Sequence, residues 1–162
     1  MGTRRPLIAV CGAGEPSAET VALAEAVGTA LAERGAVVLC GGLGGVMDAC
    51  CRAAKSAGGL TVGVVPGTET SRANAHVDVP IASGMSHGRN AIIVHSAGAV
   101  IALPGSYGTL SEIALALADG KTVFTLGDTW DIPGAVHTDS VEAAVTQALA
   151  AAAKQEHVER SV

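Results

Sequence analysis

The chain reads as a single-domain α/β fold: a doubly wound, Rossmann-like, mostly parallel sheet with helices on both faces. Three observations predict it. Short runs of Val, Ile, Leu, Ala and Cys alternate with segments whose apolar residues recur at helical spacing, through most of the chain. The composition is 49% apolar but only 2% aromatic, so the core is aliphatic, as in a parallel sheet covered on both sides. The 162 residues contain no internal repeat and no linker long enough to divide them, which suits one domain. That domain is expected over residues 1–155, with 156–162 as a polar C-terminal tail that frays.

The elements follow in order. LIAVC, Leu7 to Cys11, is a buried strand, and GAGEPS after it is a loop of turn residues. Ser17 is the N-cap of a helix whose Val21, Ala24, Val27 and Leu31 share one face, and Gly35 ends it. Ala36–Cys40 is the second strand. GGLGG follows, then a helix from Val46 to Ser56 closed by Gly58-Gly59, then a third strand, LTVGVV. A polar loop runs from Pro66 to Ala75, HVDVPIA alternates weakly as a short strand, and a helix is expected from Ser86 to Ala97. AVIALP is the next strand, followed by a helix opening near Thr109. TVFTL, led by Lys121, is a further strand, and GDTWDIPGAVHT reads as a loop. The last helix is expected to begin at Asp139, with Glu142 at capping-box spacing.

The net charge of −5 disfavours a general DNA or RNA binder, which needs a basic face to neutralise phosphates. It does not exclude a small anionic ligand held by backbone N–H groups. No apolar run approaches a membrane span. Arg4-Arg5 flanks only a short apolar stretch, and Pro6 stands where a myristoylation site wants Ser or Thr; a cytoplasmic protein is expected. Cys11, Cys40, Cys50 and Cys51 show no metal-binding spacing and read as small buried hydrophobes, so no metal site is expected.

Right-handed crossovers place all the strand-to-helix loops at one sheet edge, where such folds bind ligands. Three of these loops are glycine-rich: CGAG at 11–14, CGGLGG at 40–45 and PGSYG at 104–108. Glycine permits φ > 0 and close approach to the main chain, and a helix N-terminus just beyond it attracts phosphate. The phosphate-binding candidates are therefore Gly12, Gly14, Gly41, Gly42, Gly44, Gly45, Gly105, Ser106, Tyr107, Gly108 and Thr109. No G-x-x-x-x-G-K-[ST] motif exists, which excludes a P-loop NTPase. GAGEPS lacks the last dinucleotide-fingerprint glycine, and the second strand ends in Cys40-Gly41 rather than in an acid for an NAD ribose. None of Lys55, Lys121 and Lys154 ends a strand, as a pyridoxal phosphate lysine would.

Glu112 has two readings. TLSE fits a capping box with Thr109 as N-cap and Glu112 at N3; the same carboxylate is also a candidate acid or base. Capping in the empty protein does not rule out the second role. Arg89 has the same duality: a surface arginine near a helix N-terminus is electrostatically unfavourable, which gives weight to a functional reason. His87 reads as a solvated loop-edge histidine, and Tyr107 as a ring-stacking group or a shield for its loop.

The fragment around Glu112 resembles the P-G-G-x-G-T-x-x-E motif of the LOG family, the cytokinin-activating nucleoside 5′-monophosphate phosphoribohydrolases often mislabelled lysine decarboxylases. PGTETSRANAHVDVPIASGMSHGRN and GTLSEIALAL resemble still more closely a neighbouring group of that superfamily, which contains the molybdenum cofactor carrier proteins and was once described as related to the DNA-processing protein DprA. The likeness runs from about Leu7 to Leu126. It implies paired catalytic roles for Arg89 and Glu112 if the chain is an enzyme, and ligand contacts at Met85 and Asn90 within the Gly-Met and Arg-Asn pattern. In that chemistry the carboxylate stabilises positive charge on the sugar or activates water. Two departures weaken hydrolysis more than binding: Ser106 replaces the second glycine of P-G-G, and Asn90 replaces the lysine that follows the arginine in LOG enzymes. The expected function is a binding protein for a phosphorylated, nucleotide-like ligand, like the molybdenum cofactor carriers. The alternative is a phosphoribohydrolase releasing free base and ribose 5-phosphate. A DNA-processing accessory ranks third because of the acidity. The resemblance further implies a bound nucleotide or molybdenum cofactor as ligand, with no cofactor required, and a homodimer or larger homo-oligomer; acidity and the lack of a long apolar run lead to the expectation of no nucleic-acid and no membrane partner.

Overall fold

The computed structural model describes residues 4–159 and Ser161. Seven strands form one sheet: β1 (Leu7–Cys11), β2 (Val37–Cys40), β3 (Leu60–Val65), β4 (Val79–Ala82), β5 (Ala99–Ala102), β6 (Val123–Leu126) and β7 (Val136–Thr138). Their spatial order is β4-β3-β2-β1-β5-β6-β7, and every pairing is parallel. The order therefore runs outward from β1 in one direction and from β5 in the other. Two diverging crossovers leave a crevice at the carboxyl ends of β1 and β5, the position where ligands of such sheets bind.

Five helices cover the faces: α1 (Ala18–Glu33), α2 (Val46–Ser56), α3 (Arg89–Ser96), α4 (Tyr107–Ala118) and α5 (Val141–Glu159). Alternation along the strands divides the core. Ile8, Val10, Val38, Cys40, Ala99 and Ile101 pack toward α1, α2 and α5. Ala9, Cys11, Leu39, Val100 and Ala102 pack toward α3 and α4. All four cysteines are free and buried, as small hydrophobes should be; the Cys40 and Cys51 sulfurs lie 3.5 Å apart.

Ser17 caps α1 as expected, accepting from the Thr20 N–H at 3.2 Å. Four expectations need correction. GDTWDIPGAVHT is not all loop, because its last residues form β7, a three-residue edge strand too short to show a period. The helix expected from Ser86 splits into a 3-10 turn, Ser86–Gly88, and α3 proper. The last helix is capped by Ser140, whose Oγ accepts from the Ala143 N–H at 3.1 Å; Glu142 instead pairs with Arg34 across α1 and α5. Finally, α5 runs to Glu159, so residues 156–159 of the expected tail are helical.

The tightest helix contact joins α1 and α2. A Cβ on Gly28 would sit 2.2 Å from the Cys50 carbonyl oxygen. In an exposed helix Gly→Ala gains about 1 kcal/mol. Here the clash with backbone decides the sign, and Gly28→Ala is expected to destabilise by about 1–3 kcal/mol, read as a lower midpoint in urea unfolding.

Candidate functional site

The crevice between β1 and β5 is built by backbone. The loop after β1 is tied to the loop after β5 by Ala13 N–H donating to the Pro104 carbonyl at 3.0 Å. The loop after β2 folds against the first: Val46 N–H donates to the Ala13 carbonyl at 3.0 Å. Gly45, at φ +68, passes so close that a Cβ would lie 2.3 Å from the same oxygen. The result is a cleft of 180 Å³ whose wall brings together Cys11, Gly12, Gly14, Gly41, Met47, His87, Arg89, Asn90, Ser106, Gly108, Thr109 and Glu112.

The glycines thus divide by role. A Cβ on Gly12 would strike Val46, and one on Gly41 would strike the Arg89 guanidinium at 2.6 Å. Gly14 and Gly108 differ, since a Cβ there would meet nothing within 4 Å; those positions face open cleft. Gly42, Gly44, Gly45, Met85, Gly105 and Tyr107 do not line the cleft. Gly42 is packed against Gly63 and Val65, and its carbonyl accepts from Asn74 N–H at 2.8 Å. Gly105 makes room for Thr109, whose Oγ1 would lie 2.1 Å from an added Cβ. Met85 and Tyr107 stand in solvent, 52% and 87% exposed.

Glu112 is not a cap. The first helical residue of α4 is Tyr107, so Glu112 lies in the second turn, and Ser106, the N-cap, makes no side-chain capping bond. The helix starts early because Ser106 is extended, at φ −118 and ψ −161, straight after Pro104-Gly105. Two consequences follow. The α4 terminus faces the cleft with its first-turn N–H groups uncapped by any side chain, as an anion site requires. Glu112 is buried, 9% exposed, and burial pushes its carboxyl up to about 7, against the opposing pull of Arg89 and a hydrogen bond from Cys11. Burial and the neighbouring Glu112 charge push the Cys11 thiol up in turn. Cys11, Val10 and Met47 are cleft residues that sequence patterning did not put forward, although a cysteine at a strand's carboxyl end beside a glycine loop could have signalled Cys11; His87, read as a loop-edge histidine, also lines the cleft.

Arg89 opens α3 and is also only 9% exposed. Its Nε–H donates to the Val64 carbonyl at 2.8 Å, Nη2 to the Gly41 carbonyl at 3.3 Å, and Nη1 to the Asn90 carboxamide. All three acceptors are neutral. Among the described residues Arg89 has no ion-pair partner. Burial lowers its pKa, and the Glu112 charge opposes that. A buried cation without a contacting anion, beside uncapped helix N–H groups, is an arrangement one anion completes.

A larger hollow of 680 Å³ opens at the opposite sheet edge, beside Arg4, Arg5, His95 and Lys121. Its lysine already caps α3, donating to the Ala97 carbonyl at 2.8 Å and the His95 carbonyl at 3.2 Å. It lacks the buried, convergent polar groups of the β1/β5 cleft, which is why size does not decide between them. Among the described residues no helix is long and apolar enough to cross a membrane.

Residues 5–159 match the SLOG cluster4 family. A protein of Archaeoglobus fulgidus, described as uncharacterized, is 45% identical over 147 residues, covering 91% of this chain and 97% of the relative. A cytokinin riboside 5′-monophosphate phosphoribohydrolase of Mycobacterium tuberculosis is 39% identical over 113 residues, or 68% of this chain; the matched part is 60% of that enzyme's length. Among solved structures, the molybdenum cofactor binding protein of Rippkaea orientalis superposes with a TM-score of 0.86 at 34% identity, over 92% of this chain and 98% of that one. The molybdenum cofactor carrier protein of Chlamydomonas reinhardtii gives 0.82 at 33%, over 91% and 99%. DNA processing protein A of Helicobacter pylori shares the fold, with a TM-score of 0.72 at 18% identity, over 90% of this chain and 80% of that one.

The raised Glu112 pKa has a stability consequence. The folded state holds this proton more tightly than the unfolded chain, so the contribution is full at low pH and is lost as pH rises from about 4.5 through about 7. Glu112→Gln is therefore expected to be more stable than wild type at about pH 8, by up to about 3 kcal/mol, and the gap should close near about pH 4. Urea unfolding at both pH values checks it.

Proposed function

The chain belongs to the SLOG cluster4 family, and from that premise we propose that it binds a phosphorylated, nucleotide-like small molecule in the β1/β5 cleft, as a molybdenum cofactor carrier does. The observation that carries this reading is the buried Arg89, which has three neutral acceptors and, among the described residues, no ion-pair partner, beside the uncapped start of α4. The phosphate sits at the first turn of α4, against Gly108 and Thr109, with the Ser106 hydroxyl as a further donor. Gly14 and Gly108 leave the approach clear. The cleft, at 180 Å³, is smaller than the roughly 300–1,000 Å³ of sites that enclose a whole drug-sized ligand. It takes the phosphate and sugar, and the ring system lies toward the rim, where Met85, His87 and Tyr107 are exposed. The near full-length likeness to the two molybdenum cofactor proteins supports that cofactor as cargo; its anionic character suits Arg89.

A second reading rests on Glu112. A carboxyl held near 7 inside a cleft, with a guanidinium nearby, is poised for acid–base work. Cleaving the base–ribose bond of a nucleoside 5′-monophosphate builds positive charge on the sugar, which an ionised Glu112 stabilises. The likeness to the mycobacterial phosphoribohydrolase supports this alternative.

Both readings need the anion site, and turnover separates them. In calorimetry with AMP as probe, Arg89→Met is expected to weaken binding roughly 10- to 100-fold, the effect of losing charged hydrogen bonds. With the carrier reading, wild type binds AMP and releases no adenine; release that Glu112→Gln abolishes establishes the hydrolase instead. We also expect a homodimer or larger homo-oligomer, with the outer faces of α3 and α4, including the partly exposed Leu115, as the contact. Light scattering at micromolar concentration checks this, and a monomer mass overturns it.

A further inference from the structure

Asn90 lines the cleft, and its carboxamide is hydrogen-bonded within the protein. It is 2% exposed, and both ends of its carboxamide are used within the protein. Arginine only donates, so the oxygen faces Arg89 and accepts from Nη1. The amide nitrogen then points the other way and donates to Ser111 Oγ at 2.9 Å. Ser111 passes the chain on, its hydroxyl donating to the Gly108 carbonyl at 2.8 Å. A directed series of hydrogen bonds therefore runs from the guanidinium on α3 through Asn90 to the first turn of α4. It joins the two elements that offer positive charge to the cleft.

We propose that Asn90 and Ser111 are positioning residues: together they lock the Arg89 guanidinium to the start of α4, so that an anion meets cation and helix terminus as one preassembled unit. This rests on the anion-binding reading of the cleft. Five N–H groups on arginine minus three donated to protein leaves two, and the relay fixes which two. Without it the planar guanidinium is held only by Val64 at 2.8 Å and by the long 3.3 Å contact to Gly41, a looser hold, so part of each binding event goes into ordering it. The device also requires a neutral side chain at position 90. An aspartate there is isosteric but puts a carboxylate on Arg89, and it cannot donate to Ser111.

Ser111 supplies the discriminating test, because it touches Arg89 only through Asn90. The side-chain N–H signals of Arg89 are followed by 15N-edited NMR in the empty protein, with Arg89→Lys to assign them, and phosphate and AMP affinities are measured by calorimetry. The expected result for Ser111→Ala is broadened Arg89 signals, faster N–H exchange and a several-fold loss of affinity for both probes. Ser111→Thr, which keeps the hydroxyl, should restore them. Asn90→Ala should lose roughly tenfold, and the Asn90→Ala/Ser111→Ala double variant should be no weaker than Asn90→Ala alone. Arg89 signals unchanged in Ser111→Ala, or losses that simply multiply in the double variant, would overturn the relay. The NMR readout needs no ligand: if wild type binds neither probe, the anion-site reading fails while the Arg89 signals still decide whether the relay holds. Should Asn90→Ala not fold, the Ser111 pair alone decides.

Discussion

A guanidinium removed from water must be supplied with acceptors, and Arg89 takes them from two backbone carbonyls at strand ends and the Asn90 carboxamide rather than from a carboxylate. That choice constrains the whole cleft. The Val64 oxygen belongs to β3 and the Gly41 oxygen to the turn after β2, so the cation is held only while these strands and α3 keep their register. A Cβ at Gly41 would displace the guanidinium, whose Nη2 lies 2.6 Å from that position. The carboxyl whose charge acts on it, Glu112, is itself partly neutralised by burial, so the positive charge is not cancelled from within. The geometry stabilises a cation and leaves its field available to whatever enters.

The same economy separates the glycine loops. The loops after β1 and β5 form the floor, stitched at Ala13 and Pro104. The loop after β2 acts mainly as their buttress, with Gly45 pressed onto Ala13 and Gly14, and Asn74 holding Leu43 through its side chain. Three loops of similar composition therefore do different things, and what distinguishes them is what lies within 4 Å of a missing Cβ.

The sheet was legible because aliphatic runs and helical spacing are local signals that tertiary structure here reinforces. The order of the other elements, the Ser17 cap and the approximate span of α2 were readable from the chain. β7 was not, since three residues on an edge carry no period. The TLSE capping pattern misled for a related reason. It is a rule about four neighbours, whereas the start of α4 is set by Pro104, Gly105 and the extended Ser106. Arg89 and Glu112 were both put forward from the sequence, and the cleft unites them. Their burial, the thiol of Cys11 beside them and the relay through Asn90 and Ser111 were invisible, because each depends on residues far apart in the chain meeting at one sheet edge.

The strand order also bears on how the molecule comes to exist. β1 to β4 pair in the order in which they are synthesised, so half the sheet forms from near neighbours. β5 must return to the middle and close on β1, with Ile8 pairing Ala99, a long loop closure of the kind that slows folding. Until that closure neither the floor of the cleft nor the approach of α4 to Arg89 exists. With β5 undocked, one flank of β1 is an unpaired strand edge, the kind of edge that templates aggregation.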